Sequence, residues 1–199
     1  MREKKAKIFV ISGPSGSGKT TLLQHVLKDA ALRKKLARSI SFTTRHKRSG
    51  ERNGKDYFFI GEKQFKALQK AKKILEWTKY LGYYYATPKE LIDKQLKAGK
   101  HVALCLDVKG ASLVKRLYPG NAVTIFVLPP SLEVLHQRIR NRCNKTKTKE
   151  IKQRVVLAKK ELSAASNYDH CLLNQDLVTV TKELKAIINN ELETNGKGR

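Results

Sequence analysis

The sequence predicts an α/β fold: a parallel sheet core with helices on both faces, a small mostly antiparallel insert and a helical lid. Three observations predict it. Apolar runs alternate with amphipathic segments in both halves of the chain, as in strand-helix-strand units. Between residues 38 and 88 that alternation breaks, and four strand-like segments share one short helical pattern. Residues 133–160 then carry ten Lys and Arg against two acidic residues in two helical stretches broken by NKTKTKE, which suggests a basic lid.

Residues 7–12 hold the run IFVI and read as a buried parallel strand entering a glycine-rich loop. A helix follows over about 20–28, with Leu22, Leu23, Val26 and Leu27 on one face. Residues 39–44 and 57–60 are β-like and flank the turn-rich SGERNGKD; a helix over 62–72 and strands over 74–80 and 82–86 complete the insert. From Pro88 the alternation resumes: helix to 97, strand 101–107, helix from 109, strand 122–128, and a helix opened by Pro130-Ser131. After the lid, a short strand at 171–173 and a helix over 176–192 close the chain. The expected organisation is one domain over 6–192, with core 6–37, 89–133 and 165–192, insert 38–88 and lid 134–164. Residues 193–199 are expected to form a flexible tail.

At 199 residues and 40% hydrophobic content the chain can bury one substantial core. No apolar run approaches the ~18 residues of a membrane span, and the N-terminus shows no secretory pattern, so a cytoplasmic protein without membrane attachment is expected. Cys105, Cys143 and Cys171 have neither paired spacing nor a nearby His cluster, and read as reduced thiols. A net charge of +25 favours polyanionic partners: a multiply phosphorylated substrate foremost, nucleic acid as a secondary, charge-driven activity.

Residues 13–20, GPSGSGKT, match G-x-x-x-x-G-K-[ST] between a predicted strand and a predicted helix, as a phosphate loop requires. Glycines at 13, 16 and 18 let backbone N–H groups curl around phosphate oxygens at a helix N-terminus. Lys19 would reach the β- and γ-phosphates, and Thr20 would place its hydroxyl on Mg²⁺. The loop names a nucleoside triphosphate donor and leaves the acceptor open; N-K-x-D, the usual guanine signal of GTPases, is missing.

The acceptor signal lies in the insert. Ser41, Arg45, Arg48 and Tyr57 in SFTTRHKRSGERNGKDYFF are suitable donors for a second phosphate. Glu76, Tyr84, Tyr85 and Thr87 in ILEWTKYLGYYYATP set a carboxylate near aromatic and hydroxyl groups, and a carboxylate can accept paired hydrogen bonds from guanine N1–H and its 2-amino group. Each residue has a plainer alternative: Arg45 and Arg48 as solvated charges, Glu76 facing the surface, the tyrosines as strand aromatics, the lid arginines as an RNA-binding face. Asp107 ends an apolar strand, where a carboxylate commonly holds Mg²⁺ through water.

At these residues the sequence resembles the guanylate kinase family, from about residue 6 to residue 192. GPSGSGKTTL, SFTTRHKRSGERNGKDY, LEW followed by YYATP, LDVKGA, IFVLPPS and the late YD and NQD stand in the family's order and spacing. The resemblance implies a P-loop NTPase-type core and Mg²⁺-dependent transfer of the ATP γ-phosphate to GMP, and to dGMP, in purine nucleotide metabolism and GMP recycling. It places ATP on Gly13, Pro14, Ser15, Gly16, Ser17, Gly18, Lys19 and Thr20, with Asn174 on the adenine side. The GMP phosphate falls on Ser41, Arg45, Arg48, Tyr57 and Tyr85, and guanine on Glu76, Thr87 and Asp107. The catalytic set is Lys19, Arg138, Arg142 and Arg154, and the metal-binding residue Thr20. Cys105 stands where the family often has aspartate, and Cys143 replaces a glycine after the lid's R-x-x-R. A sugar-phosphate kinase of the same fold and a non-catalytic scaffold are the rival readings; monomer and homo-oligomer stay open.

Overall fold

The computed structural model describes residues 6–141 and 148–194. Arg142, Cys143 and most of NKTKTKE, with residues 195–199 of the tail, lie outside the described residues. The core is a five-stranded sheet, order β2-β7-β1-β8-β9, in which every pair is parallel. Its centre is β1 (Ile8–Ser12), buried along its whole length between β7 (His101–Cys105) and β8 (Ala122–Leu128). A strand buried on both faces can be apolar at every position, which is why IFVI, HVALC and AVTIFVL lack alternation. Phe9 and Ile11 pack toward Leu22, Leu23 and Val26 of α1 (Lys19–Val26) and Val180, Leu184 and Ile188 of α8 (Leu177–Thr194). Ile8 and Val10 face the other way, onto Ile92 of α4 (Lys89–Lys97) and Ala111 and Val114 of α5 (Val108–Leu117).

Two elements went unread in the sequence. The helix α2 (Ala30–Lys35) is capped by Asp29, whose carboxylate accepts from the N–H groups of Ala31 and Leu32. It delivers the chain into β2 (Leu36–Arg38), the edge strand beside β7. The β-like run expected over 39–44 shortens to β3 (Phe42–Thr43) in the insert, and β2, with one fully buried residue, lies wholly before it. The strand expected to reach residue 107 stops at Cys105, because Asp107 turns to cap α5 and accepts from Gly110 N–H at 2.8 Å. The edge strand β9 (His170–Leu173) pairs with β8; before it, Tyr168 O–H donates to Ser12 Oγ and Asp169 accepts from Lys115 and from the N–H and O–H of Thr124. The late YD motif thus fastens β9 to the core.

The insert forms a second sheet, order β4-β3-β6-β5, with β4 (Phe58–Phe59), β5 (Ile74–Tyr80) and β6 (Tyr83–Pro88). Only β3 and β4 are parallel; β5 and β6 form a hairpin whose two-residue turn puts Leu81 and Gly82 at φ 50° and 86°. One face is covered by α3 (Glu62–Lys70), whose buried Phe65 stacks on Tyr84 and meets Trp77 edge-on. The opposite face carries Glu76, Thr78 and Tyr80 toward the loop after β1. The lid helices α6 (Leu132–Asn141) and α7 (Thr148–Leu162) join through Leu135, Ile139 and Ala158. Among the described residues no helix is long and apolar enough to cross a membrane.

Candidate active site

A cleft of about 440 Å³ opens at the carboxyl ends of β1 and β7 and is walled by the glycine loop, the insert and α7. Open α/β sheets bind ligands at this edge. The loop owes its shape to backbone freedom: Gly13, Gly16 and Gly18 have φ of 135°, 90° and 94°. A methyl group at Gly13 would lie 2.4 Å from the Val127 carbonyl, and one at Gly18 2.3 Å from the Asn174 side-chain nitrogen. The loop is therefore held open without side chains, with its N–H groups at the start of α1. Lys19 Nζ donates to the carbonyls of Gly13 (2.5 Å) and Pro14 (2.9 Å), and Asn174 Nδ2 donates to Ser17 O at 2.6 Å. Asn174 is buried and braces the loop from β9.

Gly13, Ser15, Gly16, Gly18, Lys19 and Thr20 reach the cleft wall; Pro14, Ser17 and Asn174 stand behind it. From the insert come Ser41, Arg45, Arg48, Tyr57, Glu76 and Tyr85, from the end of β7 Asp107, and from the lid Arg154. Arg154 Nη1 donates to Ser15 Oγ at 3.4 Å, so lid and phosphate loop touch. Arg138 is off the wall: Nη2 donates to Asn174 O at 3.3 Å, and Nη1 is buried without a hydrogen-bond partner among the described residues. Arg142 lies outside the described residues.

In the insert Arg45 is not a solvated charge and Glu76 does not face the surface, while Arg48 is partly exposed. Arg45 is 8% exposed, and its two terminal nitrogens grip Glu51 at 2.7–3.0 Å, with the Tyr57 and Phe59 rings 5.5 and 5.7 Å from the guanidinium. Burial opposes the charge on Arg45, but the hydrogen bonds it donates to Glu51, together with Tyr85, outweigh it and raise its pKa; burial likewise opposes charge on Glu51, and Arg45 and the Arg48 N–H hold its pKa low. Glu51 therefore fixes Arg45 and seats the Arg48 backbone, a part not assigned from sequence although it stands three residues after Arg48 in RSGE. Replacing it as Glu51→Gln leaves a buried guanidinium without its counter-charge, which costs about 2–4 kcal/mol. Urea denaturation at pH 7 should show that loss, and the Michaelis constant for the acceptor should rise about tenfold or more through the misplaced arginine; unchanged stability would mean that Arg45 is held by its aromatic neighbours alone.

Glu76 is 5% exposed and accepts from Thr87 O–H at 2.6 Å, with Thr87 itself fully buried. Burial pushes the Glu76 carboxyl up to about 7; the Thr87 hydrogen bond works against this and Asp107 adds to it. A methyl group on Gly110 would meet Glu76 Oε2 at 2.7 Å, so the glycine of LDVKG makes room for this carboxylate. Cys105 sits beside Thr20, and burial pushes its thiol up despite Lys19 and Arg38, leaving it uncharged at neutral pH. Among the wall residues not singled out in the sequence are Thr78, and Glu161 of α7, whose carboxyl is raised to about 7 by burial against the opposing pull of Lys19, with Asp107 raising it further. Spacing could have flagged Glu161, which stands seven residues after Arg154 on one helical face.

The parallel sheet and glycine loop define a phosphate-loop α/β protein of the kind that cradles nucleoside phosphates. The family model for guanylate kinase matches residues 5–191. The chain is 39% identical over 184 residues to a guanylate kinase of Wolbachia pipientis wMel, covering 92% of this chain and 90% of that protein. It is 41% identical over 186 residues to one of Caldanaerobacter subterraneus subsp. tengcongensis, covering 94% and 88%. A crystal structure of guanylate kinase from Anaplasma phagocytophilum superposes with a TM-score of 0.78 at 26% identity, covering 96% of this chain and 88% of that one. The chain belongs to the guanylate kinase family.

Proposed function

We propose that the chain transfers the γ-phosphate of ATP to GMP, giving ADP and GDP. The observation that carries this reading is Glu76: a buried carboxylate, paired to Thr87, facing the same cleft as the phosphate loop. Burying a carboxylate is costly unless it meets hydrogen-bond donors, and guanine offers two adjacent ones where adenine offers none in that arrangement. In this reading Thr87 orients Glu76, Asp107 borders the base, and Ser41, Arg45, Arg48, Tyr57 and Tyr85 hold the acceptor phosphate. The segments 38–88 and 134–164 act as acceptor insert and lid around the core. Asn174 takes the adenine side while bracing the loop.

An oxygen of the GMP phosphate attacks the γ-phosphorus in line. A phosphate monoester's second pKa is ~6, so that oxygen is largely ionised at neutral pH and needs no general base. Lys19 leaves its loop carbonyls to follow the developing charge, with Arg154 beside the loop and Arg138 and Arg142 brought to the transferred group when the lid closes. Closure of insert and lid excludes water as a competing acceptor. Among the described residues no three His, Cys, Asp or Glu gather as a metal site. The hydroxyl of Thr20 and the nearby carboxylates are hard oxygen donors, which suits Mg²⁺ brought in on the triphosphate. Thr20 would hold Mg²⁺, and the ion when bound supplies counter-charge to the phosphates. Free Cys105 and Cys171 agree with a reaction in the cytoplasm.

Coupled ADP release with GMP, dGMP, AMP, UMP and ribose bisphosphate tests the reading. GMP and dGMP should support turnover and the others should not; release with AMP or the sugar but not GMP would overturn it.

A further inference from the structure

Glu161 is a cleft carboxylate to which the proposed reaction gives no task. It belongs to α7, and its position there is fixed by packing rather than by chance rotation. Arg154, Ala158 and Glu161 follow one another at spacings of four and three, which puts all three on one helical face. Ala158 is buried against Leu135 and Ile139 of α6. The helix cannot roll Glu161 out of the cleft without pulling Ala158 from that seam. Arg154 in turn touches Ser15 of the phosphate loop. The lid therefore presents a cation and, two turns on, an anion to the site of a polyphosphate.

The cation is easily understood; the anion is not. A carboxylate beside bare phosphates is repelled by them, and the effect is large in a cleft shielded from water. Asp107, its electrostatic neighbour across the cleft, adds a second negative charge rather than relieving the first. Lys19 attracts Glu161, but a bound triphosphate competes for the same ammonium. A cation carried by the nucleotide removes the conflict, and Thr20, the hydroxyl at the start of α1, lines the same cavity.

We propose that Glu161 is a positioning residue for the metal-loaded nucleotide: its carboxylate receives hydrogen bonds from the water shell of the divalent cation, so that α7 closes over Mg-ATP and is repelled by ATP alone. This rests on the reading that ATP occupies the phosphate loop. The lid then distinguishes the two forms of the donor before transfer begins, and Arg154 reaches the phosphates only when the cation accompanies them.

Calorimetric binding of ATP to the full chain tests this, with excess Mg²⁺ and with EDTA, in wild type and Glu161→Gln. Wild type should bind ATP at least about tenfold more tightly with Mg²⁺; Glu161→Gln should bind metal-free ATP about five- to tenfold more tightly than wild type and keep a Mg²⁺ advantage of about twofold or less. A Mg²⁺ advantage in the variant equal to that of wild type would overturn the proposal. Should circular dichroism show Glu161→Gln unfolded, Glu161→Asp, which withdraws the charge by one methylene, must reduce the advantage at least about threefold, and an undiminished value would equally overturn it. Wild type that binds ATP in neither buffer would instead overturn the phosphate-loop reading.

Discussion

Lys19→Ala should lower kcat by at least about 10³-fold, equivalent to ~4 kcal/mol of transition-state stabilisation, while GMP affinity stays within about threefold of wild type. The two effects separate because the groups are separate. Lys19 stands at the head of α1 and bonds the carbonyls of Gly13 and Pro14, whereas the proposed acceptor ligands Ser41, Arg45, Arg48 and Tyr57 come from the insert. Without phosphate, the loop carbonyls occupy the ammonium; with phosphate, the same flexible stem lets it track negative charge toward the bridging oxygen, which no neutral side chain does. Stability should change less than activity. The lost bonds are charge-assisted and partly buried, and such bonds contribute about 1.5–3 kcal/mol each at most, part of which water recovers when it solvates the two carbonyls. Rapid-quench measurement of single turnovers, beside equilibrium GMP binding, reads both quantities. A loss of transfer below tenfold would place the transferring phosphate away from Lys19.

The phosphate loop was legible because its information is in the backbone. Glycines at 13, 16 and 18 are required by positive φ and by the close approach of Val127 and Asn174, and a spacing of glycines survives in a bare sequence. The insert was legible only in part, for the opposite reason. In β5 the apolar Trp77 is 46% exposed and the charged Glu76 is buried, which inverts what hydrophobicity predicts for alternate strand positions. The inversion arises because the inner face of that sheet looks onto a polar cleft while the outer face is completed by α3 and Phe65. Arg45 stood out in the sequence through its motif, yet its burial depends on Glu51, whose grip is set by the loop between β3 and β4. The short β2 escaped because three residues with a single fully buried side chain give no period to read. Glu161 escaped because a carboxylate in a basic helix looks like a surface charge; its spacing from Arg154 puts the two on one face, but only the packing of Ala158 shows which way that face turns.

Glu76→Gln should make the protein more stable at pH 8 and a far poorer GMP kinase. The folded-state pKa of Glu76 is about 7, against 4.5 for an unperturbed glutamate, raised chiefly by burial. A carboxyl with a raised folded pKa binds its proton more tightly in the native state than in the unfolded one. Native protein is therefore favoured by protonation, and stability declines as pH rises from about 4.5 to about 7. Above that window the buried carboxylate costs on the order of 3 kcal/mol, which the neutral amide avoids. The variant's carbonyl oxygen can still accept from Thr87 O–H, so the pairing inside the sheet is kept. Its advantage in melting temperature should be several degrees at pH 8 and about a quarter of that at pH 5, since a kilocalorie moves a domain of this size by about 2–4 °C. Guanine reverses the balance. Its two N–H donors favour the ionised carboxylate, whereas the amide offers one acceptor and turns a donor against a donor, so kcat/KM for GMP should fall about 10²-fold. In wild type the base-binding form is about half populated at pH 7 and about a tenth at pH 6, so GMP affinity should weaken about fivefold over that unit beyond whatever the variant shows. Subtracting the variant removes the titration of the GMP phosphate, which both proteins share. Equal melting-temperature gaps at pH 5 and pH 8 would show that Glu76 is not the buried titrating group, and a pH dependence of GMP binding as steep in the variant as in wild type would show that its carboxylate does not read the base.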